Sequence, residues 1–134
     1  MTLAVDSSAL GAILLAEPDA EAYLDALETS QDNVISSVSL LEIRGMVLAL
    51  LGEAGVFRLD RLLENNTIEE APFDGDTARL AYEGYLCFGE GRHPAQLGLS
   101  DCAAYALAKS REIPLLFKNE GFRHTDVTPA LEAA

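Results

Sequence analysis

Short apolar runs alternate with amphipathic segments along the whole chain. Short apolar runs predict strands at residues 3–5 and 114–117, a brief strand is expected at 33–36, and alternation predicts one at 68–73. Residues 125–127 could begin a last short strand. Helical spacing of apolar residues predicts helices after Asp6, over 18–30, 38–51 and 56–63, after Asp74, and over 101–111. Strands that alternate with helices favour right-handed crossovers and a central parallel sheet with helices on both faces. The predicted fold class is therefore α/β.

Two segments of this pattern bear on function. The helix predicted over 38–51 is apolar almost all round, so we expect it to be buried against the sheet or against another chain. Gly52 and Gly55 are predicted to end it. The glycine-rich segment 89–98 predicts a loop, after which Ser100 is expected to cap the next helix. This loop is a plausible functional edge of the sheet.

Length and composition narrow the class of protein. The 134 residues fit one domain spanning 1–134, and the 49% share of hydrophobic residues is enough for a core without disulfides. The two cysteines, Cys87 and Cys102, provide no disulfide framework, which suits a reducing compartment. The N-terminus lacks the basic start of a secretory signal, and no apolar run is long enough to span a membrane. We therefore expect a cytoplasmic protein with no membrane segment.

The charge balance changes the expected partners. Nine Lys and Arg residues stand against 22 Asp and Glu, giving a formal net charge of −13. Such a charge repels nucleic acid unless cations or a local basic patch intervene, and the basic residues form no run. Clustered carboxylates can instead bind divalent cations, whose charge inverts the local field. We therefore expect this protein to bind divalent cations or a basic partner.

Four carboxylates fall at the predicted carboxyl edge of the sheet, where ligands bind in folds of this class. Asp6 follows the first strand, Glu42 lies in the nearly apolar helix, Asp101 begins the helix after Ser100, and Glu120 follows the last clear strand. They come from distant segments and have no His or Cys companion at ligand spacing. This favours a hard cation, Mg²⁺ or Mn²⁺, over zinc.

Each of these acids also has an ordinary structural interpretation. Asp6 can cap the following helix, and Glu42 can complete a capping box with Ser39. Asp101 is stabilised by the macrodipole near a helix N-terminus whatever its function, and Glu120 can be an exposed turn residue. Their joint placement at one edge of the sheet is what favours a shared site.

Four segments together resemble a known family: VDSSAL (5–10), SLLEI (39–43), GRHPAQLGLSDCAAYALAK (91–109) and PLLFKNEGFRHTDV (114–127). They resemble a PilT N-terminus (PIN) domain, specifically a VapC-type toxin ribonuclease. The resemblance implies a three-layer α/β sandwich whose first three acids are Asp6, Glu42 and Asp101. The family usually has an acid directly before the Phe of the last segment. Here Gly121 precedes Phe122, and the fourth carboxylate is Glu120.

The resemblance implies an endoribonuclease in which Mg²⁺ or Mn²⁺, held by these acids, supports hydrolysis of RNA phosphodiesters. It further implies a homodimer and a cognate antitoxin that blocks the site. Arg92 could contact phosphate, and His93 could shuttle a proton, although a solvated loop is the simpler interpretation of both.

Two other classes remain open. A catalytically weakened PIN-like module that binds RNA or protein is compatible with Gly121. An aspartate-nucleophile phosphatase would also use an Asp after the first strand, but usually with a second Asp where Ser8 stands.

Overall fold

A parallel four-stranded sheet forms the centre of the fold in the computed structural model, which describes residues 1–132. The strands are β1 (Thr2–Val5), β2 (Asp32–Ser36), β3 (Ile68–Ala71) and β4 (Leu115–Leu116). The helices are α1 (Ser7–Leu14), α2 (Ala20–Thr29), α3 (Ser37–Asn65), α4 (Gly75–Phe88) and α5 (Leu99–Arg111), and a 3₁₀ helix covers Glu120–His124. The α/β prediction is confirmed.

Helices cover both faces of the sheet, as predicted. The strand order is β3-β2-β1-β4, and every pairing is parallel. Side chains alternate between the faces, so Ala4 and Leu115 pack with α4 and α5, whereas Val5 and Leu116 pack with α1, α2 and α3. Because both faces are buried there, β1 and β4 are mostly apolar, whereas the edge strand β3 exposes its two central residues, Glu69 and Glu70.

The last predicted strand is wrong. Residues 125–127 have bend geometry, and the chain meets the sheet edge only afterwards, through an isolated bridge between Leu115 and Pro129. The strand predicted over 114–117 is present but shorter, because only Leu115 and Leu116 pair with β1. The predicted turn after it is a 3₁₀ helix that begins at Glu120.

Helix α3 consists of two helical segments that meet at Gly52, so the predicted end of the first helix is confirmed there, whereas Gly55 lies within the second segment. Gly52 has φ of 71°, a left-handed conformation that glycine adopts without steric cost, and helical structure resumes directly after it. The first half of α3 is not buried on all sides within this chain, contrary to one of the two expectations for the helix over 38–51. Ile43 and Val47 are buried, whereas Leu41 and Leu48 are exposed, Leu41 to 74%. An apolar strip on α3 therefore faces outward.

Two further features concern the described part of the chain. No helix within residues 1–132 has the length and apolar character needed to cross a bilayer. Both cysteines are free thiols, Cys87 exposed and Cys102 buried. The core therefore forms without a disulfide.

Candidate metal and active site

Asp6 directly follows β1 and is almost completely buried, with 2% of its surface exposed. It caps α1, because its Oδ2 accepts hydrogen bonds from the Ser8 backbone N–H (3.0 Å) and from Ser8 Oγ (2.5 Å). No hydrogen bond within residues 1–132 reaches the other oxygen, Oδ1. Burial, together with the negative charges of Asp101 and Glu42, raises the pKa of Asp6 to about 6, against the Ser8 hydrogen bonds that lower it. Asp6 can therefore cap α1 through Oδ2 and still offer Oδ1 to a ligand in a shared site.

Ser8 is a residue whose role sequence reasoning missed. Its Oγ accepts hydrogen bonds from the backbone N–H groups of Lys118 (2.9 Å) and Asn119 (3.1 Å) while donating its proton to Asp6. Both lone pairs are engaged, so the hydroxyl proton is committed to the carboxylate. Ser8 therefore ties the end of β1 to the segment after β4. The only sequence signal was a serine two residues after an acid that follows a strand.

Glu42 lies beyond the first turn of α3, and its capping-box interpretation is wrong. The helix is capped by Ser36, whose Oγ accepts from the Val38 backbone N–H at 3.2 Å. Ser39 is buried, and its hydroxyl finds no hydrogen-bond partner in residues 1–132. The exposed Glu42 carboxylate instead accepts from Ser7 Oγ and Ser100 Oγ, each at 2.6 Å. Glu42 is therefore held next to the elements that carry Asp6 and Asp101.

Asp101 lies half-buried in the first turn of α5. Its Oδ2 accepts from the Gly98 backbone N–H at 2.8 Å, so Gly98 occupies the capping position and Ser100 does not cap this helix, contrary to prediction. Burial raises the pKa of Asp101; the Gly98 hydrogen bond opposes this rise, and the charge of Glu42 adds to it. The Asn119 side chain also lowers the Asp101 pKa.

Glu120 lies apart from the other three acids in its contacts. Its side chain is 74% exposed, and its Oε2 accepts from Arg123 Nε at 3.0 Å. An exposed ion pair of this kind is weak, typically ~0–1 kcal/mol, and therefore easily broken. The structure brings Asp6, Glu42 and Asp101 together and leaves Glu120 paired with a cation at the surface.

Gly121 has a steric reason to be glycine. A Cβ at this position would lie 2.4 Å from the backbone oxygen of Ala95, in the loop over residues 89–98. Backbone atoms cannot yield as a flexible side chain does, so the loop occupies the space that a side chain at 121 needs. The close approach of this loop therefore explains why no acidic side chain stands directly before Phe122 in this chain.

We expect Gly121→Ala to lower the free energy of unfolding by about 1–3 kcal/mol, because the added methyl overpacks the contact with Ala95. Urea denaturation measures it. Gly45→Ala is the matched control: Gly45 is an exposed helical glycine with nothing within 4 Å of the added Cβ, so it should be neutral or stabilising. Equal effects of the two substitutions would contradict the steric explanation.

The loop residues Arg92 and His93 have different environments. Arg92 is exposed, whereas His93 Nδ1 accepts from the Ala95 backbone N–H at 3.0 Å and its ring packs edge-on against Phe88 at 5.0 Å. An accepting Nδ1 requires the neutral tautomer with the proton on Nε2. His93 therefore shapes the loop in this structure, and of the two residues only the exposed Arg92 fits the interpretation as a solvated loop residue.

The three carboxylates lack a cationic partner in the described chain. No Lys or Arg within residues 1–132 forms an ion pair with Asp6, Glu42 or Asp101. The nearby Lys118 ammonium is engaged by Glu17 (3.0 Å) and Asp19 (3.1 Å) instead.

Within residues 1–132, no three His, Cys, Asp or Glu side chains lie close enough together to coordinate a metal ion without moving. The negative charge of Glu42 nevertheless adds to the raised pKa values of Asp6 and Asp101, and such uncompensated carboxylates fit a site for a hard divalent cation, which would draw them together.

Comparison with known proteins identifies the family. The PIN domain family matches residues 3–127. Ribonuclease VapC28 of Mycobacterium tuberculosis is 44% identical over 130 residues, covering 96% of this chain and 97% of its own. Ribonuclease VapC30 of the same organism is 40% identical over 125 residues, covering 93% and 95%. A toxin–antitoxin complex from Klebsiella pneumoniae has the same fold, with a TM-score of 0.73 at 18% identity, covering 98% of this chain and 99% of its own. The chain belongs to the PIN domain family and, within it, to the VapC ribonucleases.

Proposed function

We propose that Asp6, Glu42 and Asp101 hold Mg²⁺ or Mn²⁺ and are the catalytic residues of this toxin endoribonuclease. One observation supports the proposal: Asp6 directly after β1, Glu42 in α3 and Asp101 in the first turn of α5 lie near one another, and none of them has an ion-pair partner within residues 1–132. Their roles as ligands also agree with the PIN family, to which residues 3–127 belong.

A bound divalent ion supplies Lewis acidity, lowers the pKa of a water molecule and stabilises the leaving oxygen of the phosphodiester. The protein supplies the positions of the acids. Asp6 offers its unpaired Oδ1 while Ser8 holds Oδ2, and Asp101 is oriented by the Gly98 N–H. Burial around Asp6 lowers the local dielectric, which strengthens its interaction with a cation.

Glu120 enters this proposal as an outer ligand of the metal. To bind a cation, its carboxylate must leave Arg123, which an exposed ion pair permits at low cost. Its longer side chain compensates in part for a position one residue before Gly121. We propose that Glu120 contacts the ion through water, so that this ligand contributes less than Asp6 does.

The proposed partners follow from charge, surface and relatives. With a net charge of −13, RNA binding is expected to depend on metal and on exposed cations such as Arg92. The Klebsiella pneumoniae neighbour was solved as a toxin–antitoxin complex, which supports a cognate antitoxin for this chain. The outward apolar strip with Leu41 and Leu48 supports a homodimer. We propose one functional domain, residues 1–134, acting in the cytoplasm.

RNA cleavage by the purified chain tests this function. We expect cleavage with Mg²⁺ or Mn²⁺, none with a chelator, and at least about a 100-fold loss in Asp101→Asn, the equivalent of ~3 kcal/mol of transition-state stabilisation. The asparagine side-chain oxygen can still accept from Gly98, so the start of α5 should be preserved.

Asp74→Asn is the matched control, because the Asp74 carboxylate also closes the first turn of a helix, in this case as the N-cap of α4 that accepts from the Thr77 backbone N–H, but lies outside the site. It should cleave at the wild-type rate. RNA that is bound but not cleaved by the wild-type chain would instead favour the weakened binding module, and cleavage unaffected by Asp101→Asn would overturn the assignment of the site.

A further inference from the structure

Glu42 is exposed, yet both oxygens of its carboxylate are engaged by the protein. Ser7 Oγ donates to Oε1 and Ser100 Oγ donates to Oε2, each at 2.6 Å. Ser7 is the first residue of α1, and Ser100 lies in the first turn of α5. Two hydroxyls from separate helices thus fix the end of a side chain from a third helix.

Neither hydroxyl is needed to start its own helix. The N-terminus of α1 is capped by Asp6, and the first turn of α5 is closed by the hydrogen bond between Gly98 and Asp101. Serine at a helix start is usually explained by capping, and that explanation does not apply to either residue. Their shared contact is the Glu42 carboxylate.

Glu42 needs such contacts more than the other two acids do. Asp6 is held by burial and by Ser8, and Asp101 is held by the Gly98 N–H, whereas Glu42 is a long exposed side chain with free access to water. Its charge raises the pKa values of both Asp6 and Asp101, so the three carboxylates repel one another. Without the serines, repulsion and rotamer entropy favour an orientation toward solvent.

The two hydrogen bonds leave room for a cation. Each carboxylate oxygen has two lone pairs, and each serine occupies only one of them. Glu42 can therefore bind a metal while both contacts persist. Outer hydrogen bonds that orient a metal ligand commonly improve metal affinity by about 10–100-fold.

We propose that Ser7 and Ser100 are positioning residues that hold Glu42 at the site ready for a divalent cation. The inference rests on the proposed function, because it takes Glu42 to be a metal ligand. It assigns a purpose to two serines that lie beside Asp6 and Asp101 in sequence but act on the third acid.

Calorimetric titration of the purified full chain with Mn²⁺ alone tests the proposal without reference to cleavage. We expect the Ser7→Ala/Ser100→Ala double variant to bind Mn²⁺ about tenfold more weakly than wild type. Ser7→Thr/Ser100→Thr keeps both hydroxyls and should restore most of the affinity. Ser110→Ala is the control, because Ser110 Oγ donates to the Leu107 carbonyl on the same helix, remote from Glu42.

A double-mutant cycle identifies the route of the effect. In a Glu42→Gln background, the two alanine substitutions should cause no further loss of Mn²⁺ affinity, since their target is already gone. An equal loss in both backgrounds would overturn the proposal, as would unchanged or tighter Mn²⁺ binding by the double alanine variant. If the wild-type chain bound no Mn²⁺, the proposed function itself would fail. If Mn²⁺ binding depended on Glu42 but not on the serines, only the present inference would fail.

Discussion

Asp6→Asn is expected to abolish RNA cleavage and, at the same time, to stabilise the metal-free protein at pH 8. The asparagine oxygen can accept both Ser8 hydrogen bonds, so the cap of α1 is retained. The substitution removes the negative charge of the most buried of the three acids and replaces its unpaired oxygen with an amide that binds a cation poorly. We expect cleavage to fall by at least about 100-fold.

The gain in stability follows from the direction of the Asp6 pKa. Burial raises this pKa to about 6 in the folded protein, above the ordinary value of an unfolded Asp. Between the two values the folded state binds more protons than the unfolded state, so the free energy of unfolding falls as pH rises through about 6. At pH 8 the buried charge costs about 3 kcal/mol, a cost that asparagine does not carry.

Urea denaturation in the presence of a chelator measures this effect. The stability difference between Asp6→Asn and wild type should be largest at pH 8 and should shrink toward zero below about pH 4, where Asp6 is protonated in both states. Asp74→Asn is the control with the opposite sign: hydrogen bonds from Thr77 lower the pKa of Asp74, so losing its charge should destabilise the protein at neutral pH. If Asp6→Asn unfolded more easily than wild type at pH 8, helix capping would be the main role of Asp6.

Glu42→Gln is expected to cause the second large loss of activity with little change in stability. Glutamine has nearly the same volume, and its oxygen can still accept from one of the two serines. Its neutral head removes a charged ligand, so cleavage should again fall by about 100-fold. Loss of repulsion from Asp6 and Asp101 offsets the lost hydrogen bond, and the melting temperature without metal should be close to that of wild type.

Ser36→Ala separates this result from an effect on the helix. Ser36 is the residue that caps α3, and replacing it should lower the free energy of unfolding by about 1 kcal/mol while the folded variant still cleaves RNA. Cleavage assays and thermal melts of both variants give the comparison. Near wild-type cleavage by Glu42→Gln would show that Glu42 is dispensable as a ligand.

The expected behaviour of Asp6→Asn and Glu42→Gln follows from one property: without a bound cation, the three carboxylates destabilise the folded state. The three acids gain no ion-pair energy from the chain within residues 1–132, and the pKa values of Asp6 and Asp101 are raised. Binding of a cation to the folded state would repay this cost, so Mn²⁺ should stabilise the wild-type chain more than either variant.

The sequence by itself determined the α/β class, the four paired strands and the three acids that the structure brings together. These features have local signals: a strand buried on both faces is a short apolar run, and Asp6, Glu42 and Asp101 fall at predicted element ends or in recognisable motifs. The cap at Asp6 was likewise readable, because a cap involves only neighbouring residues.

Only the tertiary structure decided the contacts between distant segments. Ser7 and Ser100 reach Glu42 across 35 and 58 positions of the chain, and no periodicity encodes such pairs. The capping box at Glu42 failed because Ser36, one turn earlier, competed for the helix start. Gly121 looked like a missing acid in the sequence, whereas in the fold the Ala95 backbone oxygen fills the space that any side chain there would need. Local patterns report on neighbours in the chain, but the position of a long acidic side chain depends on the atoms that other elements bring to meet it.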